Sequence, residues 1–143
     1  MGLTKKSSKK KILSAWLEAL RGQSEVKYKQ TTEYLRRKRG PRAQDGFCCL
    51  GVLCELAVKA KVIDPPLLAD SDDEEYSYSE EVGTLPDEVR MWAGIREDVG
   101  RFYGTDNRSE TLTNLNDSGA SFKKIASIIE KNKKEIFVEG TRF

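Results

Sequence analysis

The most reactive side chains in this sequence are the thiols of Cys48, Cys49 and Cys54. Thiolates act as nucleophiles, redox groups and metal ligands. An odd number of cysteines so close together does not make a disulfide framework, and zinc sites normally take four ligands from separate elements. The surrounding stretch FCCLGVLCELA is almost wholly apolar. We therefore expect reduced, buried thiols and no metal, with reactive thiols near a helix N-terminus as the alternative.

The chain contains no histidine. Nucleophile pairs that depend on histidine and histidine metal sites are therefore excluded. The carboxylates at 72–75 and 80–81 lie in one acidic run, which does not offer the two different environments that an acid–base pair needs. The glycines lack the spacing of phosphate-binding loops. The sequence thus indicates no catalytic residues and no cofactor, and it favours a binding protein over an enzyme.

A basic segment, RRKRGPR, covers residues 36–42. Its arginines Arg36, Arg37 and Arg39 are of the type that binds phosphates, and Tyr28 and Tyr34 are close enough in sequence to stack on bases. Three interpretations stay open: a nucleic-acid site, a site for a small phosphate-bearing ligand, or a solvated turn facing acidic residues. If the turn is solvated, replacing the three arginines with serine leaves folding intact.

A second polar group precedes the last predicted helix and includes Asn116 and Asp117. Such residues commonly make local turn hydrogen bonds. The alternative is that they line a pocket with Gln30 against the cysteine-rich helix. The full set of candidate ligand-binding residues is Tyr28, Gln30, Tyr34, Arg36, Arg37, Arg39, Asn116 and Asp117.

The net charge of +2 conceals three blocks of opposite sign. Residues 1–61 carry a net +10, residues 62–117 carry −11, and residues 118–143 carry +3. These blocks either neutralise one another or form separate faces for partners. The basic N-terminus is not followed by an apolar segment, Lys6 departs from the myristoylation pattern, and no apolar run reaches membrane-spanning length. We expect a cytoplasmic protein that does not bind membranes.

Apolar spacing predicts three main helices. One contains Trp16 and ends at Gly22, one covers residues 47–62, and one begins at Ser121. The helix over 47–62 is apolar on all sides, so we expect it to be central. Its Gly51 costs about 1 kcal/mol relative to alanine, which suggests close approach of another backbone. A shorter helix begins at Pro86 and turns Val89, Met91 and Trp92 inward.

Residues 25–37 and 70–111 have the composition of short strands and turns. The predicted fold class is α+β and mainly helical, with three to four helices around the central helix and a small antiparallel sheet or hairpins. We expect one domain over residues 1–143. Its residues 1–8 are predicted to be flexible, and residues 69–84 are predicted to form an acidic exposed segment.

Four stretches resemble sequence blocks of a widespread family of small, uncharacterised bacteriophage and prophage proteins. The specific blocks read CCLGVLCEL and LNDxGxSFxxIA, and the family's usual glutamine before the cysteine helix corresponds to Gln30. The basic turn at 36–42 and the acidic segment at 70–81 depart from the family pattern. The four stretches are AWLEALRG (15–22), FCCLGVLCELA (47–57), LPDEVRMWAG (85–94) and LNDSGASFKKIASIIE (115–130).

This resemblance implies a viral accessory protein acting in the cytoplasm of the infected bacterial host. Small phage proteins of this kind commonly act by binding a host or anti-phage defence component, or by sequestering a nucleotide signal. The expected partner is therefore a host or defence protein or a nucleotide-type small molecule. The alternative is a nucleic-acid-binding accessory factor that uses the 36–42 turn.

Overall fold

The computed structural model describes residues 2–104 and 107–143. Met1, in the predicted flexible segment, and Thr105 and Asp106, in the predicted 70–111 region, lie outside the described residues. The described residues combine helices with small sheets, so the predicted α+β class is confirmed. Six helices are present in these two ranges: α1 Lys9–Leu20, α2 Cys49–Lys59, α3 Asp87–Ala93, α4 Leu112–Asp117, α5 Phe122–Lys131 and α6 Lys133–Ile136.

Helix α1 ends before Gly22 and helix α5 begins after the Ser121 cap, as the sequence predicts. The Oγ atoms of Ser8 and Ser121 accept hydrogen bonds from the backbone N–H groups of Lys11 and Lys124, which caps α1 and α5. After α1 the chain turns left-handed at Gly22, with φ of 71°. These capping residues set the positions of α1 and α5, which pack against each other.

Helix α2 is shorter than the predicted range of 47–62. Gly46 and Phe47 join a sheet, so the helix begins only after Cys48, whose Sγ accepts from the Gly51 N–H at 3.3 Å. The helix ends in a Schellman motif in which the Val62 N–H donates to the Ala57 carbonyl oxygen at 2.9 Å. Lys61 takes the left-handed conformation there, with φ of 63°, a role that glycine usually has.

Three short strands form a mixed sheet beside α2. They are β1 Lys29–Gln30, β2 Arg36–Arg37 and β3 Gly46–Phe47, in the spatial order β1-β3-β2. Strands β2 and β3 are antiparallel, whereas β1 and β3 are parallel. The predicted small antiparallel sheet or hairpins describe the β2–β3 pair, but β1 pairs with β3 in parallel because β3 inserts between β1 and β2.

Two antiparallel pairs complete the sheet structure. Strand β4 Leu67–Leu68 pairs with β5 Tyr76–Ser77, and β6 Arg101–Tyr103 pairs with β7 Ser109–Thr111. The acidic stretch Asp70–Glu74 between β4 and β5 is exposed, but Tyr78 beyond it is fully buried. The predicted acidic segment, residues 69–84, is thus anchored in the core by Tyr78 and is not exposed over its whole length.

The buried face of α1 packs on α2, and α2 also contacts α3 and α4. Trp16 has no exposed surface, and its Nε1–H donates to the Cys49 carbonyl oxygen at 2.9 Å. In α3, Val89 and Trp92 are buried as predicted, but Met91 is 67% exposed. The prediction for Met91 is wrong because Met91 follows Val89 by two positions, about 200° around the helix axis, and so faces away from the core.

None of the helices in the described ranges is both long and apolar enough to cross a lipid bilayer.

Candidate ligand-binding groove

Two adjoining cavities form an open groove beside the residues that precede β1. The first cavity has a volume of about 460 Å³ and the second about 220 Å³. Both are lined by Val26, Tyr28 and Lys59, so these three residues stand at the junction. The first cavity lies within the range of small-molecule sites, about 300–1,000 Å³. We call the two cavities together the Tyr28 groove.

Tyr28 is held in place by its neighbours in the sheet and in α2. Its ring meets the Phe47 ring edge-on, with centroids 5.1 Å apart and an interplanar angle of 87°. The Lys59 ammonium donates to the Tyr28 hydroxyl at 3.2 Å and lies 5.7 Å from the ring centroid. Half-buried Tyr28 therefore offers a fixed aromatic ring with a cation beside it.

One wall of the first cavity is the polar side of α1. Lys11, Ser14, Ala15 and Glu18 follow the spacing that puts residues on one face of a helix. The small side chains Ser14 and Ala15 leave the space that the cavity occupies. The remaining lining combines apolar Leu3 and Leu56 with Gly2, Ser24 and Glu25.

The second cavity is polar and includes Arg36. The guanidinium lies 2.9 Å from a carboxylate oxygen of Asp45 and 3.4 Å from one of Glu55. It also lies 5.1 Å from the Phe47 ring centroid and 4.5 Å from that of Tyr76. These contacts are half-buried, so Arg36 is a structural element as well as a cavity wall.

Burial raises the pKa of the Tyr78 hydroxyl, which donates to Glu55 at 2.7 Å. Burial and the neighbouring Asp45 raise the pKa of Tyr76 as well. Both phenols therefore remain protonated at neutral pH and serve as hydrogen-bond donors. The cluster of Arg36, Glu55 and Tyr78 joins the basic turn, α2 and the end of the acidic segment.

The other residues of the basic turn lie apart from the Tyr28 groove. The Tyr34 hydroxyl donates to Asp73 at 2.7 Å, and the Arg37 guanidinium lies 5.5 Å from the Tyr34 ring centroid. The backbone of Lys38 donates to the Glu74 carbonyl oxygen at 3.1 Å. Arg39 is exposed. Thus the structure brings Tyr28 and Arg36 together and places Tyr34 and Arg37 against the acidic segment.

Gln30 and Asn116 form a separate buried network. The Gln30 amide donates to Asn116 Oδ1 at 3.0 Å and to the Ala120 carbonyl oxygen at 2.7 Å. Asn116 Oδ1 also accepts from the Cys49 N–H at 3.1 Å, and its amide donates to the Thr31 carbonyl oxygen at 2.7 Å. Gln30 and Asn116 thus meet, as the alternative interpretation requires, but they line neither cavity of the Tyr28 groove, and their hydrogen bonds join separate parts of the fold.

Asp117 ties a neighbouring loop to the same helix. One of its carboxylate oxygens accepts from the Glu33 N–H at 2.9 Å. Glu33 has φ of 73°, a left-handed backbone conformation that residues other than glycine rarely adopt without support from neighbouring groups. The Asp117 carboxylate therefore helps to hold the turn between β1 and β2.

The three thiols lie in the core. Burial raises the pKa of Cys48 to about 11 and raises those of Cys49 and Cys54 well above their usual value. A thiol with a raised pKa is a poor nucleophile at neutral pH. Within residues 2–104 and 107–143, no group of three cysteine, aspartate or glutamate side chains is arranged to hold a metal ion.

Sequence reasoning missed six charged residues of the groove, namely Lys11, Glu18, Glu25, Asp45, Glu55 and Lys59. The first two lie on the polar face of an amphipathic helix, which normally faces solvent. Their spacing around Ser14 and Ala15 is the available signal, since small residues between charged ones leave a depression. Lys59 carries no signal of its own, because its position beside Tyr28 depends on how α2 packs against β3, whose Phe47 contacts the Tyr28 ring.

The groove has the chemistry of a binding site. Its first cavity offers an aromatic ring, apolar surface from Leu3, Val26 and Leu56, two ammonium groups and two carboxylates. Its second cavity adds the guanidinium of Arg36 and the carboxylates of Asp45 and Glu55. No curated protein and no solved structure matches the chain. Residues 8–133 match the family described as a domain of unknown function, DUF8296, and the chain therefore belongs to that family.

Proposed function

We propose that this chain is a non-enzymatic phage accessory protein that captures a nucleotide-type small molecule in the Tyr28 groove. By sequestering this molecule it inhibits a host or anti-phage defence component in the cytoplasm of the infected bacterium. The observation that carries the proposal is the position of Tyr28 and Lys59 at the junction of two cavities. An aromatic ring beside a cation fits a ligand that combines a planar base with a phosphate.

Each part of such a ligand has a counterpart in the groove. The base stacks against Tyr28 and covers the apolar surface of Leu56 and Val26. Lys11 and Lys59 supply positive charge for phosphate oxygens. Glu18 and Glu25 supply acceptors for the amino groups of a base.

Capture without turnover is the chemistry that these side chains support. The thiols are buried away from the groove, and the sequence has no histidine to serve as a base. The proposal keeps the interpretation that the helix over 47–62 is the centre of a mainly helical fold. It is supported by the complete burial of Cys49, Leu50, Val52, Leu53 and Cys54 in α2.

The test is calorimetric titration with nucleoside mono- and triphosphates and with linear and cyclic dinucleotides. The decisive variant is Ser14→Trp, which places an indole in the first cavity from an exposed helix position. Ser127→Trp, on the exposed face of α5, is the matched control. We expect micromolar or tighter binding of at least one of these compounds by the parent and the control, and loss of binding in Ser14→Trp.

Two results would overturn the proposal. One is that no nucleotide in the panel gives a measurable heat of binding at millimolar concentration. The other is binding that Ser14→Trp leaves unchanged. Native mass spectrometry of protein purified from infected cells provides an independent check, since a retained nucleotide adds a defined mass that Ser14→Trp should lack.

A further inference from the structure

A second groove follows the junction of α5 and α6, away from Tyr28. It consists of a cavity of about 560 Å³ beside α5 and one of about 410 Å³ beside α6, and both are lined by Lys131 and Asn132. Part of its floor is apolar, from Phe102, Leu115 and Ile128. We call it the α5–α6 groove. Its lysines are Lys124, Lys131, Lys133 and Lys134.

The carboxylates in this groove are already engaged by other groups. Glu130 pairs with Arg21 at 2.8 Å, and Glu135 accepts from the Tyr103 N–H at 2.8 Å. Glu110 accepts from the Thr111 N–H at 2.9 Å and from the Asn114 amide at 2.8 Å. In the part of the chain that the structure describes, every ion pair is made by an arginine. The ammonium of Lys133 lies 5.3 Å from the Phe143 ring centroid, whereas Lys124, Lys131 and Lys134 take part in none of these ion pairs and remain available for an anion.

The geometry points to the α5–α6 groove as a sequence-independent binding site for the phosphate backbone of a single-stranded nucleic acid. Lys124 and Lys131 are two turns apart on one face of α5, and Lys134 continues the row on α6. Lysines on flexible stems suit a repeating phosphate backbone, which requires charge more than directed hydrogen bonds. The apolar floor is large enough to contact a sugar or base between phosphates.

A nucleic acid fits this groove better than an acidic protein does. The cavity beside α6 is lined only by charged and amide side chains, from Glu130 to Glu135. A protein interface needs an apolar, desolvated centre, which this half of the groove lacks. The site also differs from the basic turn at 36–42, where Arg36 is paired internally and the acidic segment lies alongside.

The experiment measures fluorescence anisotropy of a labelled single-stranded DNA of mixed sequence, about 20 nucleotides long, between 50 and 200 mM salt. The test variant is Lys131→Gln with Lys134→Gln, and the control is Lys38→Gln with Arg39→Gln on the basic turn. We expect the test pair to weaken binding roughly tenfold or more at 100 mM salt. The slope of log K against log salt should decrease by about 1.4, because two phosphate contacts are lost.

If both variants melt at the same temperature as the parent, a difference in anisotropy reports a change in binding and not a loss of folding. The inference fails if the parent binds no oligonucleotide at 50 mM salt, or if the basic-turn control loses as much affinity as the test pair. It also fails if polyglutamate displaces the DNA as well as unlabelled DNA does at equal charge. That result would indicate an acidic protein as the ligand.

Discussion

The carbonyl oxygen of Leu35 occupies the position that a Cβ atom on Gly51 would need. An ideal Cβ built on Gly51 would lie 1.7 Å from this oxygen. The same oxygen accepts a hydrogen bond from the Cys48 N–H at 3.2 Å, just before α2 begins. The loop between β1 and β2 therefore crosses α2 in direct backbone contact, which only glycine allows.

Gly51→Ala should destabilise the protein, although this change normally stabilises a helix interior by about 1 kcal/mol. The Cβ must displace a backbone carbonyl, and we expect a loss of about 1–3 kcal/mol or more in the free energy of unfolding. Urea denaturation followed by circular dichroism measures this loss. Gly83→Ala is the control, because its Cβ would lie 3.4 Å from the nearest atom. Equal stability of the two variants would contradict the contact.

Asn116→Ala should cost about 3 kcal/mol of stability. The change removes the acceptor of the Cys49 N–H and of the Gln30 amide, and each buried group left without a partner costs about 1–3 kcal/mol. Asn114→Ala, at an exposed position in the same helix, should stay within about 0.5 kcal/mol of the parent. Hydrogen exchange offers a residue-level readout, since the Cys49 amide should lose protection only in Asn116→Ala.

Arg36→Ala should destabilise the fold by about 2–4 kcal/mol, because it leaves the half-buried carboxylates of Asp45 and Glu55 without their cation. Arg36→Lys should recover little of this loss, since an ammonium lacks the planar fork that both pairs with the carboxylates and stacks on Tyr76. Arg37→Ala is the matched control, with an expected change below about 1 kcal/mol. Thermal unfolding distinguishes these variants, and equal melting temperatures for Arg36→Ala and Arg37→Ala would argue against a structural role.

Stability should fall as the pH rises above about 9. The unfolded thiols ionise near their usual pKa of 9.0, whereas burial raises the pKa of folded Cys48 to about 11 and also raises those of Cys49 and Cys54. In this window the folded state binds more protons, so each thiol lowers the free energy of unfolding by about 1.4 kcal/mol per pH unit. Urea titrations at pH 8, 9 and 10 measure the slope.

Cys54→Ala provides the internal comparison for the pH series. This variant should be less stable at every pH because the smaller side chain leaves a cavity. Between pH 9 and 10, however, its free energy of unfolding should fall less steeply with pH than that of the parent. The difference in slope should be about one proton, or about 1.4 kcal/mol per pH unit. A parent protein with equal stability at pH 8 and 10 would show that the thiols are accessible to water.

The features that the sequence predicts best depend on local chemistry. The serine caps of α1 and α5 and the left-handed Gly22 follow from residue type and position. The close approach of another backbone to Gly51 was also predictable. A glycine within an apolar helix lowers the stability of the helix, and tight packing must offset this loss. Helices α4 and α6 have only six and four residues, which is too short for a periodic pattern.

The candidate site was less predictable because its geometry depends on contacts between distant segments. The basic turn indicates a solvated surface, but Glu55 and Tyr78, far away in sequence, surround Arg36. The alternative in which Gln30 and Asn116 line a pocket brings the two residues together, but it does not anticipate that they hydrogen-bond to each other inside the fold. Tyr28 was identified by its type, while its partner Lys59 could not be found without the packing of α2 on β3.

The Gln30–Asn116 hydrogen bond joins residues 86 positions apart in the chain, and this separation has a consequence for synthesis on the ribosome. The Cys49 amide receives its acceptor only when Asn116 has left the exit tunnel. Until then the apolar stretch of α2 lacks one of its anchors and is exposed to proteases and chaperones. The nascent chain therefore completes its native structure late, after most of its length has been translated.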